Sequence, residues 1–323
     1  MTTLIALDWG TSMLRASRLG KDGEIVEKRT LPYGIMKLPS PAQNREHAFH
    51  QAFLQACGDW LDDVPASPVI ACGMIGSAQG WREAPYIEAP CDIQQLARQL
   101  IRIDVGPGRH FFVVPGVWKN GDLPEVMRGE ETQIAGALQY DEPLRSAVER
   151  QGKALIALPG THAKWVEVAQ DRIMDIQTFM TGDLYDALAH HTILSTTMQP
   201  PEQPDWEAFT QGVATARRYA ATAGLLGTLF SVRSRLLCKQ ITAQQQPDYL
   251  SGLLLGSELL AVLSRQSSAA GESIPLTFIG SDALCQRYIR ALTCLECSYP
   301  VHISAGATEQ GLWYIARLAG LFD

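Results

Sequence analysis

The same four apolar residues occur twice in this chain, each time directly before a glycine-threonine turn. Residues 4–7 and 155–158 both read LIAL, followed by DWGTS at 8–12 and by PGTHA at 159–163. An apolar run of this length predicts a buried strand. Glycine lets a ligand approach the backbone closely, and amide and hydroxyl groups in such a turn bind phosphate oxygens. The repeat therefore predicts a duplicated fold that holds a polyphosphate between its halves.

Composition and charge exclude several classes of protein. The 323 residues suffice for two domains, and 46% hydrophobic with 19% charged residues is typical of a globular protein. The net charge of -7 argues against nucleic acid as a partner, because phosphate backbones need concentrated Lys and Arg. Neither a transmembrane run nor a secretory signal is visible, so we expect a cytoplasmic protein that binds no membrane. The oligomeric state, including a homo-oligomer, is left open.

The seven cysteines are an odd number without regular spacing, which does not predict a disulfide framework. Cys294, Cys297 and His302 raise zinc binding as an alternative. A structural zinc site needs four ligands, however, and no second cysteine pair stands at zinc-finger spacing. We therefore favour reduced thiols over a metal site.

The order of predicted elements also repeats, with a helical insertion in the second copy. We accordingly predict an α/β fold with an N-terminal domain at 1–140 and a C-terminal domain at 141–323. In the first half we predict strands at 4–7, 14–19, 25–30, 69–72 and 111–114, and helices at 46–61, 93–103 and 130–140. In the second half we predict strands at 154–158, 164–169, 173–179, 276–279 and 301–304, and helices at 183–194, 206–238, 249–264, 283–295 and 308–318.

The first turn combines an acid with phosphate-binding groups. Asp8 stands at the carboxyl end of the first strand, where α/β folds bind ligands. A carboxylate there can hold Mg²⁺ through water, and Gly10, Thr11 and Ser12 can receive phosphate oxygens. An ordinary turn between two strands is the alternative for this segment alone. The second turn, at Gly160-Thr161-His162 with Lys164 just beyond to neutralise phosphate charge, favours phosphate binding; the alternative for that lysine is a solvated strand residue.

These segments carry a family resemblance. DWGTSMLR (8–15) and LPGTHAKWV (158–166) resemble the two phosphate motifs of the actin, Hsp70 and hexokinase superfamily of sugar kinases. More narrowly, the chain resembles the 2-dehydro-3-deoxygalactonokinase family. The further matching blocks are YGIMKL (33–38), ACGMIGSAQGWREAPY (71–86), VMRGEETQIAGAL (126–138), TFMTGDLYDAL (178–188), YLSGLLLGSEL (249–259) and SAGATEQGLW (304–313).

The resemblance implies two RNase H-like domains of the actin/hexokinase type, with mixed sheets and a cleft between them. It places the sugar acid and phosphates on the N-terminal side and the nucleotide on the C-terminal side. It also implies an ATP- and Mg²⁺-dependent kinase that phosphorylates the 6-hydroxyl of 2-dehydro-3-deoxy-D-galactonate in galactonate catabolism. A kinase of another sugar or sugar acid, or a non-kinase ATPase of the same fold, is the alternative.

A kinase of this kind needs a carboxylate to accept the proton of the attacking hydroxyl. Related sugar kinases carry Gly-Asp at the start of the helix that leaves the first domain. In this chain Glu130 stands in register with that Asp and Glu131 follows it, so the choice between them is open. The alternative for both is a helix cap, because acids in a first turn favour the helix dipole. Asp183 is a weaker candidate with the same alternative.

The remaining candidates concern the ligands. Gly280 and Ser281 follow a predicted strand and open a helix, which resembles the adenosine motif of the superfamily. A substrate carboxylate suits arginine, which binds it with two parallel hydrogen bonds. A structural salt bridge is the alternative for each arginine. Within the family blocks, the substrate candidates are Arg15, Arg82 and Arg128, with Ser77 and Trp81 as pocket residues.

Overall fold

The computed structural model describes residues 4–38, 45–106, 108–266, 274–297 and 300–322 as a mixture of strands and helices. The strands are β1 (Leu4–Trp9), β2 (Leu14–Leu19), β3 (Ile25–Leu31), β4 (Val69–Cys72), β5 (Tyr86–Glu88), β6 (Cys91–Asp92), β7 (Ile101–Gly106), β8 (Arg109–Val113), β9 (Gly116–Lys119), β10 (Glu125–Met127), β11 (Ala154–Leu158), β12 (Ala163–Ala169), β13 (Arg172–Phe179), β14 (Leu276–Ile279) and β15 (Val301–Ser304). The helices are α1 (Arg45–Asp63), α2 (Ile93–Arg98), α3 (Glu130–Tyr140), α4 (Glu142–Gln151), α5 (Thr181–His191), α6 (Trp206–Tyr219), α7 (Gly224–Leu229), α8 (Ser231–Leu237), α9 (Gln246–Gln266), α10 (Asp282–Cys294) and α11 (Ala307–Leu318).

The first sheet has the strand order β3-β2-β1-β4-β8-β7. Its first three strands are antiparallel neighbours, whereas β1 pairs in parallel with β4 and β4 with β8. Two further sheets have the orders β10-β9-β5 and β15-β14-β11-β12-β13-β6. Parallel and antiparallel pairs thus occur in one sheet, which confirms the predicted α/β class with mixed sheets.

The strand β1 is buried on both faces, as its continuous apolar sequence predicts. On one face Ile5, Leu7 and Trp9 share a hydrophobic core with Phe49 and Phe53 of α1. The helix α11 packs against β1 and β4. The last residues of β1 lie at the carboxyl end of this central strand, where the first glycine-threonine turn begins.

Most of the predicted elements are confirmed, but the structure adds β5, β6, β9, β10 and α4, which were not predicted, and corrects two predicted helices. The helix predicted at 93–103 is wrong beyond residue 98, because 101–106 forms β7, whose residues alternate between buried and exposed. The helix predicted at 206–238 is divided into α6, α7 and α8, and Gly224 adopts a positive φ of 60° at the start of α7. The strands β2 and β3 form an antiparallel hairpin, with Gly23 at φ 80° in its turn.

The described part of the chain packs into two compact units. The first unit comprises described residues within Met1–Ile156, Val166–Gln177 and Ser304–Asp323, and the second those within Ala157–Trp165 and Thr178–Ile303. Compact units need not coincide with domains of a given type, so the predicted boundary after residue 140 stays a prediction. In the described parts of the chain, no helix has both the length and the apolar character needed to cross a membrane.

Candidate active site

In the first unit, Asp8 lies near the end of β1 and faces Arg15 across the β1–β2 pair. The Nη1 atom of Arg15 donates to Oδ2 of Asp8 at 2.9 Å. The Arg15 side chain is 48% exposed and that of Asp8 is 26% exposed. Because these two residues are direct neighbours on antiparallel strands, the sheet itself fixes their distance, and the carboxylate still has a face open to a ligand.

Burial raises the pKa of Asp8 above its usual value, although the ion pair with Arg15 opposes the shift. The negative charge of Glu309, in the first turn of α11, raises it further. A carboxylate whose ionised form is disfavoured in this way gains from an added cation. One such carboxylate, together with substrate phosphates, is a donor set that suits Mg²⁺.

The backbone of the first turn is organised by residues 34–36. The carbonyls of Gly10 and Thr11 accept from the amides of Ile35 and Met36, both at 3.0 Å. The side chains of Thr11 and Ser12 are exposed. Within the described chain, the amides of these two residues donate to no other protein group. The turn therefore presents two amides and two hydroxyls that an anion can accept from.

Two glycines bring the start of α3 next to the end of β1. Gly73 and Gly129 have φ angles of 89° and 110°, which side-chain-bearing residues rarely adopt. A Cβ added to Gly129 would lie 3.2 Å from Cα of Gly73, and one added to Gly73 would lie 2.9 Å from the carbonyl oxygen of Trp9 and 3.6 Å from Oδ1 of Asp8. The start of α3 and the Asp8 carboxylate therefore both lie next to Gly73.

The structure separates the two glutamates at the start of α3. Glu131 is 0% exposed, and its carboxylate accepts from the Gly129 amide at 2.7 Å and from Thr132 Oγ1 at 3.0 Å. Glu130 is partly exposed, and its Oε2 accepts from the Arg128 amide at 3.0 Å. Glu131 thus caps the helix from inside the protein, and Glu130 is the one that can reach a substrate.

Burial, followed by the charge of Glu130, raises the pKa of Glu131 to about 8. The folded protein therefore keeps a proton that the unfolded chain releases near the usual value of 4.5. Stability must then fall as pH rises from that value towards the folded pKa, because the folded state binds more protons in this window.

We predict that Glu131→Gln, which mimics the protonated acid, removes most of this fall. The variant should match the natural protein near pH 5 and exceed its unfolding free energy by a few kcal/mol near pH 8.5, since one pKa unit corresponds to about 1.4 kcal/mol. Urea unfolding across this range measures the effect. Glu130→Gln removes only the smaller of the two causes, so as the control it should keep most of the fall; a fall in the Glu131 variant as large as in the natural protein would contradict the assignment.

Arg128 is buried beneath the segment that follows β4. It is 8% exposed, its Nη2 donates to the Ala84 carbonyl at 2.8 Å, and its guanidinium lies 4.2 Å from the centre of the Tyr86 ring. Its Nε and Nη1 atoms are buried and have no hydrogen-bond partner among the described residues. A buried guanidinium whose donors lack acceptors lowers the stability of the folded state until an acceptor binds. Arg128 can therefore still donate hydrogen bonds to a carboxylate.

The other predicted substrate residues occupy different environments. Trp81 is partly buried, and its ring packs against the core rings of Trp9, Phe49 and Phe111. Ser77 is nearly buried and donates its hydroxyl to the Met74 carbonyl at 2.8 Å. Arg82 is exposed, and it forms no ion pair within the described chain. Of these residues, only the arginine presents its functional group to solvent.

In the second unit, the turn that follows β11 is closed by the start of α5. The Thr161 carbonyl accepts from the Asp183 amide at 2.9 Å, and a Cβ added to Gly182 would lie 2.5 Å from the Gly160 carbonyl oxygen. Thr161 and His162 are exposed, and Nε2 of His162 lies 3.6 Å from Oδ2 of Asp183. Asp183, the weaker of the predicted candidates for the general base, therefore lies beside the second turn.

Lys164 differs from the exposed residues of this turn. It is 7% exposed, and its Nζ donates to Oγ1 of Thr178 on the neighbouring strand at 2.9 Å. The solvated lysine that the sequence offered as an alternative is therefore wrong. Its ammonium lies within the sheet, where it donates to Thr178.

The predicted adenosine motif lies against the second turn. A Cβ added to Gly280 would lie 3.5 Å from the Pro159 carbonyl oxygen, and Ser281 is the exposed N-cap residue of α10. A cavity of about 230 Å³ lies between Gly160 of the second turn and residues of α10, the helix that Ser281 caps. Its lining is largely apolar and aromatic, with Gly160, Thr181, Tyr185, Leu255, Leu284 and Arg287 among its residues. Such a cavity beside a phosphate turn suits the base of a nucleotide.

One residue that the sequence predictions omit joins this region. Glu258, in α9, is 3% exposed and accepts hydrogen bonds from three different elements of the second unit. The sequence does carry a signal for this residue, because Glu258 is the sole charged residue in the mainly apolar segment 249–264. Among the described residues, no group of three or more His, Cys, Asp or Glu side chains is arranged to hold a metal.

Comparison with known proteins gives consistent results. A family model described as 2-keto-3-deoxy-galactonokinase matches residues 8–315. A Rhizobium meliloti protein assigned as a 2-dehydro-3-deoxygalactonokinase is 37% identical over 320 residues, which cover 95% of this chain and 97% of the relative. The 2-dehydro-3-deoxygalactonokinase of Escherichia coli strain K12 is 31% identical over 316 residues and 97% of each chain.

The fold is shared with a solved structure. The crystal structure of a Sinorhizobium meliloti protein, also assigned as a 2-dehydro-3-deoxygalactonokinase, superposes with a TM-score of 0.81 at 34% identity. The superposition covers 97% of this chain and 98% of the other. The similarity therefore extends over both compact units and both turns.

Proposed function

Because the chain belongs to the 2-keto-3-deoxy-galactonokinase family, we propose that it is an ATP-dependent kinase of 2-dehydro-3-deoxy-D-galactonate. The proposed reaction transfers a phosphoryl group to the 6-hydroxyl of this sugar acid in galactonate catabolism. The observation that carries the proposal is the pair of Asp8 and Glu130, two partly exposed carboxylates in segments that both lie next to Gly73. The proposal includes a cytoplasmic location, where ATP is available.

Glu130 is the proposed general base. Phosphoryl transfer depends mainly on positioning and on stabilisation of charge, with one carboxylate to accept the hydroxyl proton. In the proposed reaction, a bond forms between the 6-oxygen and the γ-phosphorus. The bond between that phosphorus and the oxygen bridging to the β-phosphate breaks, and the hydroxyl proton passes to Glu130. Glu131 is fully buried, and its proposed role is structural, as an acceptor at the start of α3.

Asp8 is the proposed holder of Mg²⁺, which neutralises phosphate charge when bound. We further propose that the exposed groups of Thr11 and Ser12 and the turn at 160–162 bind phosphate oxygens. The cavity lined by Gly160 and by residues of α10 is the proposed place for the nucleoside, on the side that the family resemblance implies.

Arg128 is the proposed partner of the substrate carboxylate. Two of its guanidinium nitrogens have no partner in the described structure, and its own amide donates to the proposed base. A carboxylate is the acceptor that matches a guanidinium best, because two parallel hydrogen bonds form. The same residue would then connect substrate binding to the orientation of Glu130.

We predict that Arg128→Met raises KM for the sugar acid at least about tenfold, as expected when a charge-assisted hydrogen bond is lost. The change in kcat should be smaller, and KM for ATP should stay within about twofold. A coupled assay of ATP consumption measures all three constants. Arg82→Met, at an exposed arginine of the same region, is the comparison; a larger effect there would transfer the assignment to Arg82.

The proposed substrate is tested with a panel of 2-keto-3-deoxy sugar acids that differ in the direction of single hydroxyls. We expect kcat/KM to be highest for the galactonate derivative, with its gluconate epimer as the nearest competitor. Simple sugars without a carboxylate should be poor acceptors. A higher kcat/KM for one of these sugars would overturn the proposed substrate class while leaving the kinase activity in place.

A further inference from the structure

Glu258 connects the elements that surround the second turn. One carboxylate oxygen accepts from Trp165 Nε1 of β12 at 2.6 Å and from the Tyr288 hydroxyl of α10 at 2.9 Å. The other accepts from the same hydroxyl at 3.0 Å and from the Thr181 hydroxyl, at the first residue of α5. A single buried side chain therefore holds two helices and a strand to α9.

The link through Thr181 leads directly to the turn. The next residue, Gly182, is so close to the turn that an added Cβ would lie 2.7 Å from Cα of Thr161. The residue after it, Asp183, donates its amide to the Thr161 carbonyl at 2.9 Å. Any movement of the start of α5 would therefore move the backbone of the second turn.

The apolar side chains of α5 begin at Leu184, and several of them pack, partly buried, against the core that contains Leu250 and Leu253 of α9. None of the α5 residues at 181–191 is buried. Thr181 lines two cavities, of about 600 Å³ and about 230 Å³. The first three residues of α5, at 181–183, carry no large apolar side chain, so hydrogen bonds must hold the start of the helix. The bond from Thr181 to Glu258 is the one that attaches the helix start to the buried helix α9.

A buried carboxylate is a costly way to join helices. Glu258 accepts from the neutral donors Trp165, Thr181 and Tyr288, and burial raises its pKa. A leucine in this apolar helix would avoid the desolvation cost of a carboxyl group. The catalytic steps described above do not use Glu258. The presence of an acid at this point is therefore best explained by what it positions.

We propose that Glu258 is a positioning residue for the nucleotide, which holds the start of α5 against the second glycine-threonine turn and so fixes the backbone of 160–162 for ATP phosphates. This inference rests on the proposed role of that turn in ATP binding. Glu258 lines the larger cavity but not the smaller one, where the nucleoside is placed, so its effect on ATP runs through Thr181.

The test compares Glu258→Leu with Glu258→Gln. Glutamine keeps an oxygen for Trp165 and can bond Thr181 through its amide, whereas leucine removes both links. With Mg²⁺ and a non-hydrolysable ATP analogue, calorimetry should show Kd raised about tenfold for the leucine variant and within about twofold for the glutamine variant. KM for the sugar acid should not change in either variant.

Two further variants isolate the link to α5. Thr181→Val should reproduce the weaker binding and Thr181→Ser should not, which keeps the test valid if Glu258→Leu fails to fold. Ser257→Ala, the neighbouring position in α9 whose hydroxyl donates to the Leu253 carbonyl, is the control and should bind the analogue normally. Unchanged Kd in both the leucine and valine variants would overturn the inference. Absence of analogue binding by the natural protein would instead overturn the proposed nucleotide site.

Discussion

Replacing Glu130 with glutamine is expected to lower kcat by about 10²–10⁴-fold, the usual contribution of a general base. The reason is that glutamine keeps the size and the acceptor oxygen of the side chain but cannot take the hydroxyl proton. Neither KM should change by more than a few fold, because binding does not require the proton transfer. Steady-state assays of ATP consumption at saturating sugar acid measure this effect.

The control for this experiment is Glu131→Gln, one residue further along the helix. Glu131 is fully buried and hydrogen-bonded within the first turn of α3, so this substitution should change kcat far less. If the Glu131 variant lost activity and the Glu130 variant kept it, the two roles would be reversed. Near-normal kcat in both variants would remove the start of α3 from proton transfer.

Replacing Asp8 with asparagine is expected to lower kcat by about 10²–10³-fold, as removal of one group that stabilises transferring charge does in other enzymes. The variant should also need more Mg²⁺ to reach half of its maximal rate, because its amide attracts the cation less than a carboxylate. A titration of rate against Mg²⁺ concentration measures both effects. Stability should not fall, because burial already raises the pKa of Asp8 and disfavours its ionised form.

Asp63→Asn is the matched control for this prediction. Asp63 pairs with Arg18 at 3.4 Å in the same unit, but its side chain is 66% exposed and it lies at the end of α1. An exposed ion pair of this kind contributes little, so both kcat and the Mg²⁺ requirement should be normal. An Asp8 variant with near-normal rate and Mg²⁺ requirement would exclude Asp8 from the mechanism.

Periodicity and turn residues predicted much of the fold, because strands such as β1 and β11 are continuous apolar runs that end in glycine-threonine turns. The failure at 93–103 has a physical cause. The apolar residues there suit a helix face as well as a strand, and only pairing with β8 makes 101–106 extended. Long-range pairing of this kind is not visible in a local pattern.

The residue types at the site could be predicted from the sequence, but the exposure of each side chain could not. Glu130 and Glu131 have the same chemistry but differ in exposure. That exposure depends on the backbone at Gly129, whose positive φ accompanies the close approach of the helix start to Gly73. Likewise Trp81 packs against a core and Lys164 lies in a sheet, although both belong to segments with candidate ligand groups. The role of a side chain depends on what covers it, which only the tertiary structure fixes.

The proposed kinase activity is tested most directly by following ATP and the sugar acid together in one reaction. With Mg²⁺, ATP and 2-dehydro-3-deoxy-D-galactonate, we predict that one ADP appears for each sugar acid consumed. We also predict that phosphorus NMR places the new phosphate ester on the terminal carbon. ATP consumption should be very slow when the sugar acid is omitted. Release of inorganic phosphate at the same rate with or without the sugar acid would identify an ATPase and contradict the proposed kinase.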